Sequence, residues 1–148
     1  MTSIFAGLLL GTAAVASGAA LEHQVRVDHA SGATDVRYRG TVDVTHRQVG
    51  AIAPGGAPSS LRCHWRASIV VDREARHASG SSMLRTIEGR QVAEGSRPGW
   101  CSAQKESIRT EVAARTADLR DHLVAAAADD HPTLHAELDR LHGADRAG

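Results

Sequence analysis

Leu61-Arg62-Cys63-His64-Trp65-Arg66-Ala67-Ser68-Ile69-Val70-Val71-Asp72 holds the cleanest pattern in the chain. Leu61, Cys63, Trp65, Ala67, Ile69 and Val71 share one parity, while Arg62, His64, Arg66, Ser68 and Asp72 fill the other. Side chains of an extended chain point alternately to opposite faces, so this stretch predicts a strand with one buried face and one solvated face. A sheet with a single apolar face must be covered on that face, and the rest of the sequence has to supply the cover.

Reading toward the N-terminus, Ala53 to Ser60 is a loop by its Pro and Gly content. Before it, Val36, Tyr38, Val42 and Val44 share one parity with Gly40 in phase, and Arg37, Arg39, Thr41, Asp43, Thr45 and Arg47 occupy the other. One long strand explains this, with Gly40 marking a bend or a close backbone approach. Val25 and Val27 alternate with Arg26 and Asp28 in a short strand, and His29 to Ala33 reads as a turn.

Reading toward the C-terminus, Arg73 to Ser81 is polar, contains Gly80, and predicts a turn. Met83 to Val92 predicts a fourth strand with poor alternation, and Gly95-Ser96-Arg97-Pro98-Gly99 predicts its end. From Ser102 the period becomes helical: Ile108, Val112, Leu119 and Leu123 recur at spacings of four and seven. Asp129-Asp130-His131-Pro132 predicts the end of a long helix and the start of a short one, in which Leu134, Leu138 and Leu141 continue until Gly143. No internal repeat or long linker is expected. The pattern predicts an α+β fold: an antiparallel β-meander of about four strands, packed by a long and a short C-terminal helix and carrying one disulfide. Residues 21–148 are read as one domain, with a strand-rich half over 21–100 and a helical half over 101–143.

The first twenty residues predict export. Ile4 to Leu10 is a compact apolar run, and Gly11 to Ala20 is built from small residues, the layout of a secretory signal peptide cleaved near residue 20. No Lys or Arg precedes the run, so Met1 alone supplies the positive end. The competing expectation is an inner-membrane anchor, since Ile4 to Leu21 carries no charge over about a spanning length. Its second half is poor in the large apolar residues that favour insertion. Lys105 is the sole lysine, Arg is abundant and Asn is absent, a skew expected of a GC-rich bacterial genome and hence of a periplasmic or secreted address.

Composition excludes one function class. The formal net charge is zero, and Tyr38, Trp65 and Trp100 are the only aromatic residues after Phe5. A nucleic-acid binder needs basic charge beside stacking platforms, and these residues do not provide both. No catalytic motif is present: there is no GxSxG, HExxH or phosphate loop, and no Ser, His and Asp spacing marks a triad. No cofactor is expected.

Three constellations remain. Cys63 lies on the predicted buried face and Cys101 at the helix start, so a bond between them would pin helix to sheet, with Trp65 and Trp100 packed around it. His131 and His135 have the i, i+4 spacing that lets two imidazoles reach one metal ion. Their expected state is a solvated stripe with no third convergent ligand. Arg37, Arg39, Arg62, His64 and Arg66 all fall on the solvated sheet face, and neighbouring strands would merge them into an anion-binding patch for phosphate or carboxylate groups. Asp35, Asp43 and Asp72 would partly neutralise it, and the expected state is a solvated, ion-paired face, with anion binding as the alternative. The expected role is a binding or structural domain that meets an envelope ligand or partner; the alternatives are a periplasmic metal-binding protein using the C-terminal histidines, or an enzyme whose site is assembled from residues too scattered to show in the sequence.

Overall fold

Alternation past Asp72 does not stop where polarity suggests. The computed structural model describes residues 21–56 and 59–148, so the predicted signal segment lies outside the described residues. Four strands, β1 (Leu21–His29), β2 (Gly32–Val49), β3 (Arg62–His77) and β4 (Ser82–Pro98), pair antiparallel in chain order. Two helices, α1 (Cys101–Ala113) and α2 (Thr116–Ala147), cover one face. The α+β meander is therefore present, with boundaries that differ in instructive ways.

Arg73 to His77, expected as a turn, continues β3. Arg73, Ala75 and His77 are buried on the same parity as Ile69 and Val71, so the phase is intact but two of its core positions are polar. β4 runs through Gly95 to Pro98, expected to break it. Gly95 lies opposite Trp65, and a Cβ there would meet the indole at 2.7 Å, so the glycine makes room for the ring. Pro98 is tolerated because β4 is an edge strand with one unpaired side. The poor alternation of β4 reflects register shifts at Ala67/Ser68 and Ile69/Val71, which change the phase midway. Gly40 is a close approach, since a Cβ would meet Ile69 Cδ1 at 2.8 Å.

The helical half breaks elsewhere than expected. The short helix comes first: the interruption falls at Ala114 and Arg115, and α2 runs unbroken past Pro132 and Gly143. No Gly or Pro marks the break. Thr116 Oγ1 donates to the Ala113 carbonyl (2.7 Å) and Arg115 N–H to Val112 O (3.1 Å), satisfying carbonyls at the end of α1. Two separate cores call for the bend. Ile108 and Val112 of α1 pack with Cys63, Trp65, Ala67 and Ala93. Leu119, Leu123, Leu134 and Leu138 of α2 pack with Val27, Val36, Tyr38, Ile69 and Val71. Pro132 removes one helical hydrogen bond, yet Leu134 and Leu138 behind it are fully buried, and each contributes roughly 1.5–3 kcal/mol. Packing outweighs the local defect.

The two hairpins share a tetrapeptide at their turns. His29-Ala30-Ser31-Gly32 turns β1 into β2 and His77-Ala78-Ser79-Gly80 turns β3 into β4. In each, the serine N–H donates to histidine Nδ1 at 3.2 Å, and the serine hydroxyl lies 2.7 or 2.8 Å from that same nitrogen.

Candidate anion-binding surface

The helices leave the other sheet face open, and the antiparallel register decides which cations meet there. Arg47 sits opposite His64, Thr45 opposite Arg66, and Val49 opposite Arg62. Across the next strand, Arg66 faces Glu94 and His64 faces Ser96. These rows line an open groove of about 910 Å³ bounded by Thr45, Arg47, His64, Arg66, Glu94 and Ser96, and Arg62 lies two residues beyond His64 on the same strand face. Arg62 Nε donates to Ser96 Oγ at 2.9 Å. Arg66 reaches Glu94 at 3.8 Å, a contact open to solvent and worth at most about 1 kcal/mol. Among the described residues, neither Arg47 nor His64 has an ion-pair partner.

Arg37 and Arg39 do not join this patch. In the antiparallel register Arg39 pairs with Asp72 and Arg37 with Glu74, six and eight residues along the strand from Thr45 and Arg66, or about 20 and 26 Å. There they meet carboxylates. Arg39 donates to Glu22 at 3.1 Å, and the Arg76 hydrogen bond holds Glu74 below the ordinary carboxylate range, with Arg37 and Arg39 adding to the pull. Sharing a face makes these five bases look convergent; strand register separates them into one group beside Glu22 and Glu74 and another beside Glu94.

The Cys63–Cys101 disulfide supports the groove from behind. The Cα atoms are 4.8 Å apart, and Cys63 is fully buried on the core side between His64 and Arg62. Trp65 packs beside it, whereas Trp100, expected in the same cluster, is 51% exposed. Gln48 completes the clasp by accepting from Cys101 N–H at 2.7 Å and donating to the carbonyls of Arg62 and Gly99.

Between sheet and α2 lies a polar cluster that the sequence pattern hides. Arg73 has a fully buried side chain, and its guanidinium donates to Asp130 at 2.9 Å and to Glu137. Tyr38 donates its hydroxyl to the same Asp130 oxygen at 3.2 Å, and Arg85 lies 3.6 Å from the other. Burial and the Asp130 carboxylate push the Tyr38 phenol well above its ordinary range. With the phenol held neutral and the carboxylates committed to arginine, this cluster fastens α2 on both sides of Pro132. No pattern of motif spacing flags it, because its members come from three strands and one helix.

The histidines are closer to convergence than expected. His131 lies within α2, not at a frayed end, with its ring 4.4 Å from His135. A third imidazole arrives from β1: His29 is 5.7 Å from His135, and its Nε2 lies 3.0 Å from Asp139. Because Ser31 N–H donates to Nδ1, the ring proton sits on Nε2 and is donated to Asp139. Among the described residues no three donors converge on a single point for a metal ion. The Ser31–His29–Asp139 chain resembles a triad, but the His77–Ser79 pair repeats its first half without a carboxylate. The shared geometry marks it as a turn device that ties the hairpins together, with His77 Nε2 3.2 Å from Ser31 Oγ.

No helix of the described residues is long and apolar enough to cross a membrane. No protein-family model, curated protein or solved structure matches this chain.

Proposed function

We propose that this is an exported bacterial envelope protein that binds phosphate or carboxylate groups of envelope lipids or polymers on its open sheet face. The observation that carries the reading is the meeting of Arg47, His64 and Arg66 with a single carboxylate, Glu94, in one groove, with Arg62 two residues beyond His64 on the same strand face. Guanidinium forks pair with phosphate and carboxylate oxygens bidentately, and a sheet holds several at fixed spacing. Export is supported by the apolar and small-residue leader and by the Cys63–Cys101 bond, which persists in oxidising compartments.

Co-sedimentation with vesicles tests the lipid source, comparing phosphatidylglycerol with neutral phosphatidylcholine; titration with polyphosphate and polyglutamate tests the polymer source. Binding to at least one anionic probe is expected, falling as salt is raised. The double variant Arg62→Glu/Arg66→Glu abolishes it, while Arg37→Glu/Arg39→Glu leaves it in place. Loss of binding in both variants, or in neither, defeats the assignment to this groove. The export half is tested separately by intact mass of envelope-fraction protein, which is expected to begin near Leu21.

A further inference from the structure

Carboxylates are missing from the segments that build one end of this neutral chain. Between Asp43 and Asp72 the sequence holds no Asp or Glu, and between Glu94 and Glu106 again none. The same two segments carry Arg47, Arg62, His64, Arg66, Arg97 and Lys105. The antiparallel register gathers the strand residues at one end of the sheet. Val49, Arg62 and Pro98 form its last row, Arg47, His64 and Ser96 the next, and Thr45, Arg66 and Glu94 the third. α1 starts at the same end, with Cys101 bonded to Cys63 and Lys105 one turn further on. Of these cations, Arg97 is paired with Glu111 and Arg66 touches Glu94. Charge separated in this way turns a molecule of zero net charge so that this end meets an anionic surface first.

Two large apolar side chains stand out of this end. Ile52 is 64% exposed and Trp100 is 51% exposed. Their chain neighbours are fastened side by side: Ser60 N–H donates to the Ala51 carbonyl, and Gly99 N–H donates to the carbonyl of the next residue, Leu61. Gln48 donates to the Gly99 carbonyl, and the disulfide holds the residue after Trp100, so the indole rises from a fixed base. Trp100 precedes α1 without capping it through a side-chain hydrogen bond. Neither burial nor capping accounts for an indole here. Two isolated apolar side chains are too little for the centre of a protein interface, which covers about 800 Å² on each partner. An indole set among cations is instead suited to the headgroup level of a bilayer, where its ring meets the acyl boundary and its N–H stays in a polar layer.

We infer that this end of the sheet docks on an anionic lipid bilayer, with Trp100 and Ile52 entering the interface and the neighbouring cations taking headgroup phosphates. The inference rests on the anion-binding reading of the groove and names lipid as the source of the anion. Successive rows of the sheet are two residues, or about 7 Å, apart. The headgroup layer on each side of a bilayer is about 5–7 Å deep. With the indole at the acyl boundary, Arg62 in the last row and Arg47 and His64 in the next lie at the depth of the phosphates. Arg66 and Glu94, about 13 Å from the last row, lie beyond that layer, so the groove's carboxylate stays on the water side.

Trp100 is itself the probe. The other tryptophan, Trp65, is 4% exposed, and Trp100→Phe separates the two emissions. The exported protein, its N-terminus read by mass so that a retained leader is not mistaken for this end, is mixed with vesicles of acyl-brominated phosphatidylcholine, with and without phosphatidylglycerol. Trp100 emission is expected to shift to the blue and to be quenched when phosphatidylglycerol is present. Ile52→Ser/Trp100→Ser is expected to weaken vesicle binding by about tenfold or more while leaving polyphosphate binding unchanged. Arg47→Gln and Arg62→Gln are each expected to weaken vesicle binding by about fivefold. Circular dichroism and an intact Cys63–Cys101 bond confirm that each variant is folded. Trp100 emission unmoved on vesicles that the protein binds overturns the docking, as does Ile52→Ser/Trp100→Ser binding as tightly as wild type, or equal quenching without phosphatidylglycerol. Each of these leaves the groove reading standing, and so does binding to polyphosphate or polyglutamate with none to vesicles, which also overturns the docking. Failure to bind any anionic probe defeats the groove reading and the docking with it.

Discussion

Removing Asp130 probes what holds α2 to the sheet. Its carboxylate is 2% exposed and receives the Arg73 guanidinium at 2.9 Å, while Tyr38 donates to the same oxygen. Asp130→Ala leaves a buried guanidinium with Glu137 as its remaining close carboxylate and a buried phenol with no acceptor. Breaking a buried pair costs about 3–5 kcal/mol, and the lower end applies because Glu137 still compensates Arg73. The orphaned Tyr38 hydroxyl adds to the same loss and is already part of that figure. About 3 kcal/mol is a large share of the stability of a domain this size. At a urea dependence of about 2 kcal/mol per molar, it lowers the unfolding midpoint by about 1.5 M. Urea titration followed by tryptophan fluorescence under non-reducing conditions measures it, with buried Trp65 expected to report the change. The companion Arg73→Met/Asp130→Leu removes both charges and is expected to lose less than Asp130→Leu alone, because no buried ion is stranded beside an apolar wall. A midpoint unchanged by Asp130→Ala, or a double variant worse than the single one, would refute the assignment of this cluster as the clamp on α2.

Other outcomes follow from the same geometry. Cys63→Ala/Cys101→Ala is expected to destabilise the fold by about 4 kcal/mol in the chain-entropy account of a 38-residue separation, and the native thiols are expected to resist alkylation until reduced. A double variant with an unchanged urea midpoint would contradict it. Tyr38 is the only tyrosine, so phenolate absorbance reports on it alone. Its folded-state pKa is raised, so its contribution to stability is fully present below the unfolded tyrosine value of about 10 and declines as pH rises past that. Phenolate should therefore appear together with unfolding; ionisation near pH 10 in a still-folded protein would contradict its burial beside Asp130. Zinc is expected to bind weakly, since it must displace the His29 proton held by Asp139 and rotate His131 and His135 onto one point. Tight one-to-one binding in calorimetry, abolished by His135→Ala, would overturn this.

Periodicity by itself determined that β2 and β3 are long, that Val36, Trp65, Ile69 and Cys63 face inward, and that a helical half covers the sheet. These properties are local: a strand of period two and a helix of period 3.6 write their buried face directly into the residue order. Tertiary structure decided the rest. Arg73 and His77 looked like turn residues because solubility, not phase, dominated their reading, and only the arrival of Asp130 and Glu137 from α2 makes a buried arginine acceptable. Pro132 looked like a helix end because its local cost is visible in sequence, while the packing of Leu134 and Leu138 that outweighs it is not. Gly95 looked like a breaker until Trp65 was found lying over it. The cationic face was legible as a parity, but which arginines meet depends on strand register, and register is fixed by contacts between residues tens of positions apart. That is why Arg39 meets Glu22 and Arg37 lies beside Glu74, while His64 and Arg66 lie further along the sheet beside Ser96 and Glu94.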